Sequence, residues 1–281
     1  MEILRTVAEL RSWSRSARSV AGNIVGLVPT MGALHDGHAS LIRASHAACS
    51  DVVVSIFVNP TQFGPNEDYA RYPRSFDADC ALAEAEGANV IFAPSVEELY
   101  PTGATTFVEV EGLGNLLDGA SRPGHFRGVA SVVAKLLIAA EPDQAFFGQK
   151  DAAQVAVIRR MVTDLRLATE IVVCPIVRDP DGLALSSRNV YLTPAERSLA
   201  LTLSRAIREI ESLTAAGERH SATLLEATRK IFSSVPEIRV DYMALVDWAT
   251  LKPVGFAAPG TIFAIAVWVG PTRLIDNTIL T

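Results

Sequence analysis

Apolar positions along the chain fall into two regimes. Between about residues 24 and 177, short continuous apolar runs rich in β-branched residues alternate with stretches whose apolar positions recur every three to four residues. The runs cover 24–28, 52–58, 90–92, 107–110, 145–147 and 171–177, and the helical patterns cover 39–48, 77–86, 129–140 and 152–165. A strand apolar at every position is buried on both faces. Such strands alternating with helices build a parallel sheet covered on either side. The pattern therefore predicts a doubly wound α/β domain.

After Asp181-Gly182 the order changes. Thr193-Pro194 offers a cap and a first-turn proline to a long helix, and a second helix covers about 222–232. Strand-like runs follow at 240–246, 261–269 and 272–280, the last two joined by a Gly270-Pro271 turn. Helices first and strands afterwards predict a smaller α+β domain, with domains at 1–177 and 178–281.

The composition, 49% hydrophobic and 20% charged over 281 residues, belongs to a folded globular chain. A net charge of −6 argues against a nucleic-acid partner, which needs a basic face. It leaves room for a small anion held by a few local cations. Cys49, Cys80 and Cys174 are far apart and form no CxxC pair, so reduced thiols in a cytoplasmic protein are expected, with neither zinc site nor disulfide framework. The N-terminus lacks a continuous apolar stretch. Its Arg5, Arg11, Arg15 and Arg18 lie among serines, but Glu2 and Glu9 favour a solvated helix face over a transit peptide. The longest apolar run, 262–269, is far short of the ~20 residues of a membrane helix, so no membrane span is expected.

The candidate chemistry begins at LVPTMGALHDGHASLI, residues 27–42, which places two of only five histidines three apart around Gly37. The segment runs from a strand pattern into a helix pattern. In a doubly wound sheet, ligands bind beyond the carboxyl ends of the strands, where a helix start presents free N–H groups and a positive partial charge. Gly32 and Gly37 allow close backbone approach. His35 and His38 add donors, so the junction suits an anion such as phosphate. A metal pair would need a third ligand, and no HExxH or similar set supplies one. Two further segments have the same character. FFGQKD at 146–151 again leads from a strand into a helix. There Lys150 offers a point charge, Asp151 an acceptor for ribose hydroxyls, and Gln154 lies one turn beyond Lys150. LSSRN at 185–189 gathers two hydroxyls and a guanidinium in the interdomain linker, where a mobile clamp on phosphates is expected.

With PTMGALHDGH at 29–38, VSIFVNPTQF at 54–63, YPR at 72–74 and RPGHFRGV at 122–129, these segments resemble the pantothenate synthetase (pantoate–β-alanine ligase) family along essentially the whole chain. HxGH alone would indicate only the wider nucleotidyltransferase superfamily. The resemblance implies a Rossmann-like ATP- and pantoate-binding domain, a smaller C-terminal lid and a homodimer. It further implies that pantoate and β-alanine are joined through a pantoyl adenylate, with Mg²⁺ accompanying ATP. Thr30, Met31, Gly32, Ala33, Leu34, His35, Asp36, Gly37 and His38 then correspond to the phosphate-binding turn, with His35 and His38 catalytic. Lys150, Ser186, Ser187 and Arg188 correspond to phosphate ligands, Lys150 and Arg188 being catalytic too. Gly148, Gln149, Asp151, Val177 and Leu185 correspond to nucleotide contacts. Gln62 and Gln154 correspond to pantoate ligands, joined by Asn59, Tyr72 and Arg122 near the acyl site, and Asp79 to a metal neighbour.

Two positions depart from the family pattern. Gln149 stands where glutamate is common and Leu185 where methionine is common. Neither removes a proposed ligand. The competing expectations are a nucleotidyltransferase that forms no amide and a non-catalytic nucleotide sensor. The Gln62 and Gln154 pair argues against the first, and the joint presence of His35, Lys150 and the SSR segment argues against the second.

Overall fold

The computed structural model describes residues 1–65 and 67–281. The first regime folds as β1 (Glu2–Leu4), α1 (Val7–Arg18), β2 (Val25–Thr30), α2 (Asp36–Ala48), β3 (Asp51–Ile56), α3 (Phe76–Ala85), β4 (Val90–Phe92), α4 (Val96–Leu99), α5 (Asp118–Ser121), α6 (His125–Ala140), β5 (Gln144–Gly148), α7 (Ala152–Asp164) and β6 (Glu170–Cys174). The strands form one parallel sheet in the order β1-β4-β3-β2-β5-β6. The chain winds outward from β2 through β3 and β4, then returns to β2 and continues outward through β5 and β6. The order therefore reverses between β2 and β5, where a doubly wound sheet opens its ligand crevice.

The continuous apolar runs are explained by two-sided burial. On β3, Val52, Val53 and Val54 are all inaccessible. Alternate residues supply different cores. Leu27 and Val53 pack toward Leu10, Leu136 and Ile158 of α1, α6 and α7, while Val28 and Val54 pack toward Ile42 and Ala83 of α2 and α3.

The second regime comprises α8 (Pro194–Ala215), α9 (Ser221–Ser233), β7 (Ile238–Asp247), β8 (Thr261–Val269) and β9 (Thr272–Ile279). Thr193 and Glu196 close a capping box on α8, with Pro194 at its first position. The three strands form an antiparallel sheet with β8 central. Phe263, Ile265 and Val267 face α8 and α9, whereas Ile262 and Ala264 join the core of the parallel sheet. Burial between two layers accounts for an apolar run unusual in an antiparallel strand.

Two expected strands differ in the structure, and one strand was not expected. The run at 107–110 is not a strand: Val108 donates its N–H to the Ser131 hydroxyl and the segment lies against α6 without pairing. The expected strand at 171–177 ends at Cys174, before Pro175, which lacks a donor for the ladder. Strand β1 was absent from the sequence reading because it is a three-residue edge strand with one buried side chain, Leu4. The 185–189 segment directly follows a short hairpin. Residues 177–179 pair with 183–185 as a tight hairpin, with Leu185 N–H donating to Val177 O and Asp179 N–H to Leu183 O. Leu183 and Ala184 are buried. A short 3-10 turn, Ser187–Tyr191, follows.

Candidate active site

The turn after β2 is left-handed at two successive residues, Gly32 (φ 81°) and Ala33 (φ 51°). For alanine this costs roughly 1 kcal/mol and requires outside support. Asp79, buried on α3, supplies it. Its carboxylate accepts from the N–H of Ala33 at 2.9 Å and of Leu34 at 2.8 Å, and from the Ser75 hydroxyl at 3.0 Å. Thr30 ties the turn to β3, donating to Ser55 O at 2.6 Å and accepting from Gly32 N–H. The amides of Ala33 and Leu34, expected at phosphate, are thus committed to Asp79. Asp79, expected beside a metal, supports the turn through these bonds. Among the described residues no group of three or more His, Cys, Asp or Glu side chains is gathered for a metal.

The two histidines begin α2 as its cap. His35 Nδ1 accepts from Gly37 N–H at 3.1 Å, and His38 Nδ1 accepts from His35 N–H at 3.4 Å. A Cβ on Gly37 would lie 2.8 Å from the His35 ring, so only glycine lets the imidazole fold back over the first turn. Each ring uses Nδ1 as an acceptor, which fixes the proton of the neutral form on Nε2. Burial, with Lys150 nearby, pushes His35 down to about 4. Burial, then the neighbouring His35 and Lys150, pushes His38 down to about 3. Near neutral pH the pair therefore presents two neutral N–H donors with ring centroids 4.2 Å apart. It is a donor pair.

Both rings line a cavity of about 220 Å³ at the switch point. Gly148, Lys150, Asp151, Val177, Leu185, Ser186, Ser187 and Arg188 border it as well. No side chain or backbone crowds the space where a Gly148 Cβ would lie. Gln149 points away: its amide donates to Asn277 Oδ1 on β9. Asp36, exposed at the helix start, does not line the cavity, nor does the Gly32–Leu34 stretch. Arg188 is bound side-on by Asp68, at 3.0 and 2.9 Å. Ser187 Oγ lies 3.3 Å from Tyr72 Oη. Ser186 Oγ accepts from Arg188 N–H.

The inner end of the cavity is half apolar. Val129, Val132, Val133 and Leu136 of α6 and Phe57 form one wall, and Met31, Gln62 and Gln154 bring polar groups to it. Gln62 is fixed by Asn59, whose Nδ2 donates to Gln62 Oε1 at 3.0 Å and to Gly128 O at 3.1 Å. Asn59 Oδ1 accepts from Thr61, so every polar atom of the Asn59 side chain is engaged with protein. Arg122 is similarly spent. It grips Glu67 with two 2.6 Å bonds and donates to His125 Nε2 at 3.0 Å. His125 in turn donates from Nδ1 to Gln62 O at 2.9 Å, and burial with Arg122 alongside pushes its pKa down to about 4. Asn59 and Arg122, expected as ligands, border the cavity and also brace Gln62. The apolar wall on α6 went unnoticed in the sequence because an apolar helix face reads as core. Its signal was RPGHFRGV at the start of α6, where a Cβ on Gly128 would lie 2.4 Å from Thr61 O, so glycine permits the close approach.

A second cavity of about 530 Å³ adjoins the first, sharing Arg122, Lys150, Gln154 and Arg188 and reaching Arg273 and Asp276 of β9. Two of its carboxylates are paired: Asp118 with Arg273 at 2.7 Å, and Asp276 with Arg178 at 2.6 Å.

Comparison with known proteins places this geometry in context. Residues 2–279 match the family model described as pantoate-beta-alanine ligase. Pantothenate synthetases from Acidobacterium capsulatum and Moorella thermoacetica are 55% and 54% identical over the whole of this chain, which covers 97% and 99% of theirs. A crystal structure of pantothenate synthetase from Thermus thermophilus superposes with a TM-score of 0.94 at 47% identity, covering 99% of both chains. One from Francisella tularensis, described as complexed with beta-gamma ATP and beta-alanine, gives 0.81 at 34% identity, covering 99% of this chain and 97% of that one.

Proposed function

The chain belongs to the pantoate–β-alanine ligase family, and from that premise we propose that it condenses pantoate with β-alanine in two steps at the β2/β5 crevice. In the first, a pantoate carboxylate oxygen forms a bond to the α-phosphorus of ATP and the bond to pyrophosphate breaks, giving pantoyl adenylate. In the second, the amine of β-alanine attacks the acyl carbon, AMP leaves with the electron pair, and the amine loses a proton to solvent or phosphate.

The observation that carries this reading is the meeting, in one cavity, of two neutral Nε2–H donors and Lys150 with a half-apolar pocket containing Gln62 and Gln154. Pantoate has a gem-dimethyl carbon beside two hydroxyls and a carboxylate. The α6 wall suits the methyls. The glutamine amides can donate to the carboxylate and accept from the hydroxyls. The imidazole pair suits the α-phosphate because its donors need no proton transfer to act, and pre-aimed donors stabilise charge as it builds at phosphorus. Lys150 meets the outer phosphates, joined by Ser186, Ser187 and Arg188. Arg188 would exchange Asp68 for phosphate, a bidentate partner of the same kind. Gly148, Asp151 and the Val177 backbone flank the nucleoside.

Magnesium enters as part of the ATP substrate. The side chains bordering the cavity make no cation cage, which accords with an ion held mainly by phosphate oxygens and water. Residues 178–281 act as a lid, and the working form is a cytoplasmic homodimer. Among the described residues no helix is long and apolar enough to cross a membrane.

The test is pyrophosphate–ATP isotope exchange. It should require pantoate, proceed without β-alanine, and fall ~10²–10³-fold in a folded His35→Ala variant, the usual effect of removing one such donor. Exchange that needs β-alanine, or that ignores His35, would reject the scheme.

A further inference from the structure

Strand β9 is one edge of the smaller sheet, and two of its consecutive residues reach out to different loops of the crevice. Asn277, only 3% exposed, donates from Nδ2 to the carbonyls of Gln149 at 3.0 Å and Lys150 at 2.9 Å, and its Oδ1 accepts from Gln149 Nε2 at 3.2 Å. Asp276, 2% exposed, takes both ends of the Arg178 guanidinium at 2.6 and 2.9 Å. Arg178 also donates to Gly182 O, closing the hairpin that carries Ser186, Ser187 and Arg188. The two side chains are joined locally, since Asn277 N–H donates to Asp276 Oδ1 at 2.8 Å. Strand neighbours point to opposite faces, so one dipeptide can hold two loops on either side of an edge.

We propose that Asp276 and Asn277 are positioning residues that set the distance between the two phosphate-contacting loops. Asn277 fixes the Gln149-Lys150 backbone and so the direction of the Lys150 side chain, while Asp276 fixes the Arg178 hairpin. A lysine is a flexible point charge on a long stem, and its worth at a phosphate depends on where its backbone is held. The Gln149 side chain completes the link by bonding Asn277 Oδ1, where an acidic side chain would oppose that oxygen. This assigns a use to Gln149, one of the two positions at which the chain departs from the family pattern.

The proposal rests on the reading of Lys150 as a phosphate ligand, and the experiment separates the two. In the full-length protein, affinities for a nonhydrolysable ATP analogue and for AMP are measured by calorimetry in Asn277→Asp, Lys150→Ala and the double variant. Asn277→Asp keeps the volume and the acceptor but removes the donor to both carbonyls. It should weaken the analogue about tenfold and leave AMP within about twofold. The double variant should bind the analogue within about twofold of Lys150→Ala, because both changes act through one side chain. Losses that multiply in the double variant, equal losses for the analogue and AMP, or no loss in Asn277→Asp would each overturn the positioning role. Normal analogue binding by Lys150→Ala would remove the phosphate reading itself, and the proposal with it. If Asn277→Asp does not fold, Asn277→Ala gives the same test, removing the donor to both carbonyls without adding a charge. In the wild-type chain, amide exchange at 149–151 and 276–278 should slow together when the analogue binds, and independent behaviour of the two segments would count against the link.

Discussion

Replacing Asp79 by alanine isolates the support of the histidine turn from its chemistry. The carboxylate is 3% exposed and accepts three protein donors, two of them the amides that follow left-handed Gly32. A hydrogen bond to a charged acceptor contributes about 1.5–3 kcal/mol. Two amide bonds lost together, with partial rehydration of the opened turn, give a loss of about 3–5 kcal/mol. That is a large share of the ~5–15 kcal/mol by which a domain is held folded. Asp79→Asn retains one acceptor oxygen but turns an NH₂ toward the other amide, so about 2–3 kcal/mol is expected. Urea unfolding followed by circular dichroism measures both losses. Where the variants remain folded, pyrophosphate exchange should fall at least tenfold, because His35 is carried by the released turn, and excess Mg²⁺ should not restore it. Stability within about 1 kcal/mol of wild type, or a defect relieved by raising Mg²⁺, would refute the supporting role and return Asp79 to the metal.

Three further outcomes follow from the same geometry. Gly128→Ala would place a Cβ 2.4 Å from Thr61 O, a backbone atom that cannot step aside, so a loss of at least about 1–3 kcal/mol in denaturant unfolding is expected, and a neutral result would contradict the close approach of α6. Gln154→Ala should weaken pantoate at least tenfold and ATP less than twofold by calorimetry, and equal losses would reject the pocket assignment. His35, His38 and His125 are all held neutral, with folded pKa values of about 4, 3 and 4 against roughly 6.5 when unfolded. The unfolded chain therefore binds more protons below pH 6.5. Stability should be full above that value and decline as pH falls toward 4, by roughly 1 kcal/mol per pH unit for each histidine; a flat profile between pH 7 and 4.5 would show that the rings are not held neutral.

Much of this architecture is legible in the sequence because burial on both faces leaves a plain record. Val52-Val53-Val54 reads as a central strand of a covered sheet and is fully buried as one, and Thr193-Pro194 reads as a helix start and caps α8. The histidine turn is legible because its parts are adjacent in the chain. What escaped depends on contacts between distant residues. Asp79 lies 46 positions from Ala33, and Asn277 lies 127 positions from Lys150, so neither partner marks the other locally. Residues 107–110 have the composition of a strand, but Ser131 of α6 takes the N–H of Val108 that a strand would have paired. The SSR segment reads as a linker because Gly182 and two serines are turn formers, yet it follows a hairpin that Arg178 closes and Asp276 anchors.

The central claim is that a carboxylate oxygen of pantoate attacks the α-phosphorus in the imidazole-lined crevice. Pantoate labelled with ¹⁸O in its carboxylate tests it directly, with ATP and β-alanine supplied unlabelled and the products analysed by mass spectrometry. The account predicts one ¹⁸O in each AMP released and none in pyrophosphate. AMP without label, or label in the pyrophosphate, would contradict it.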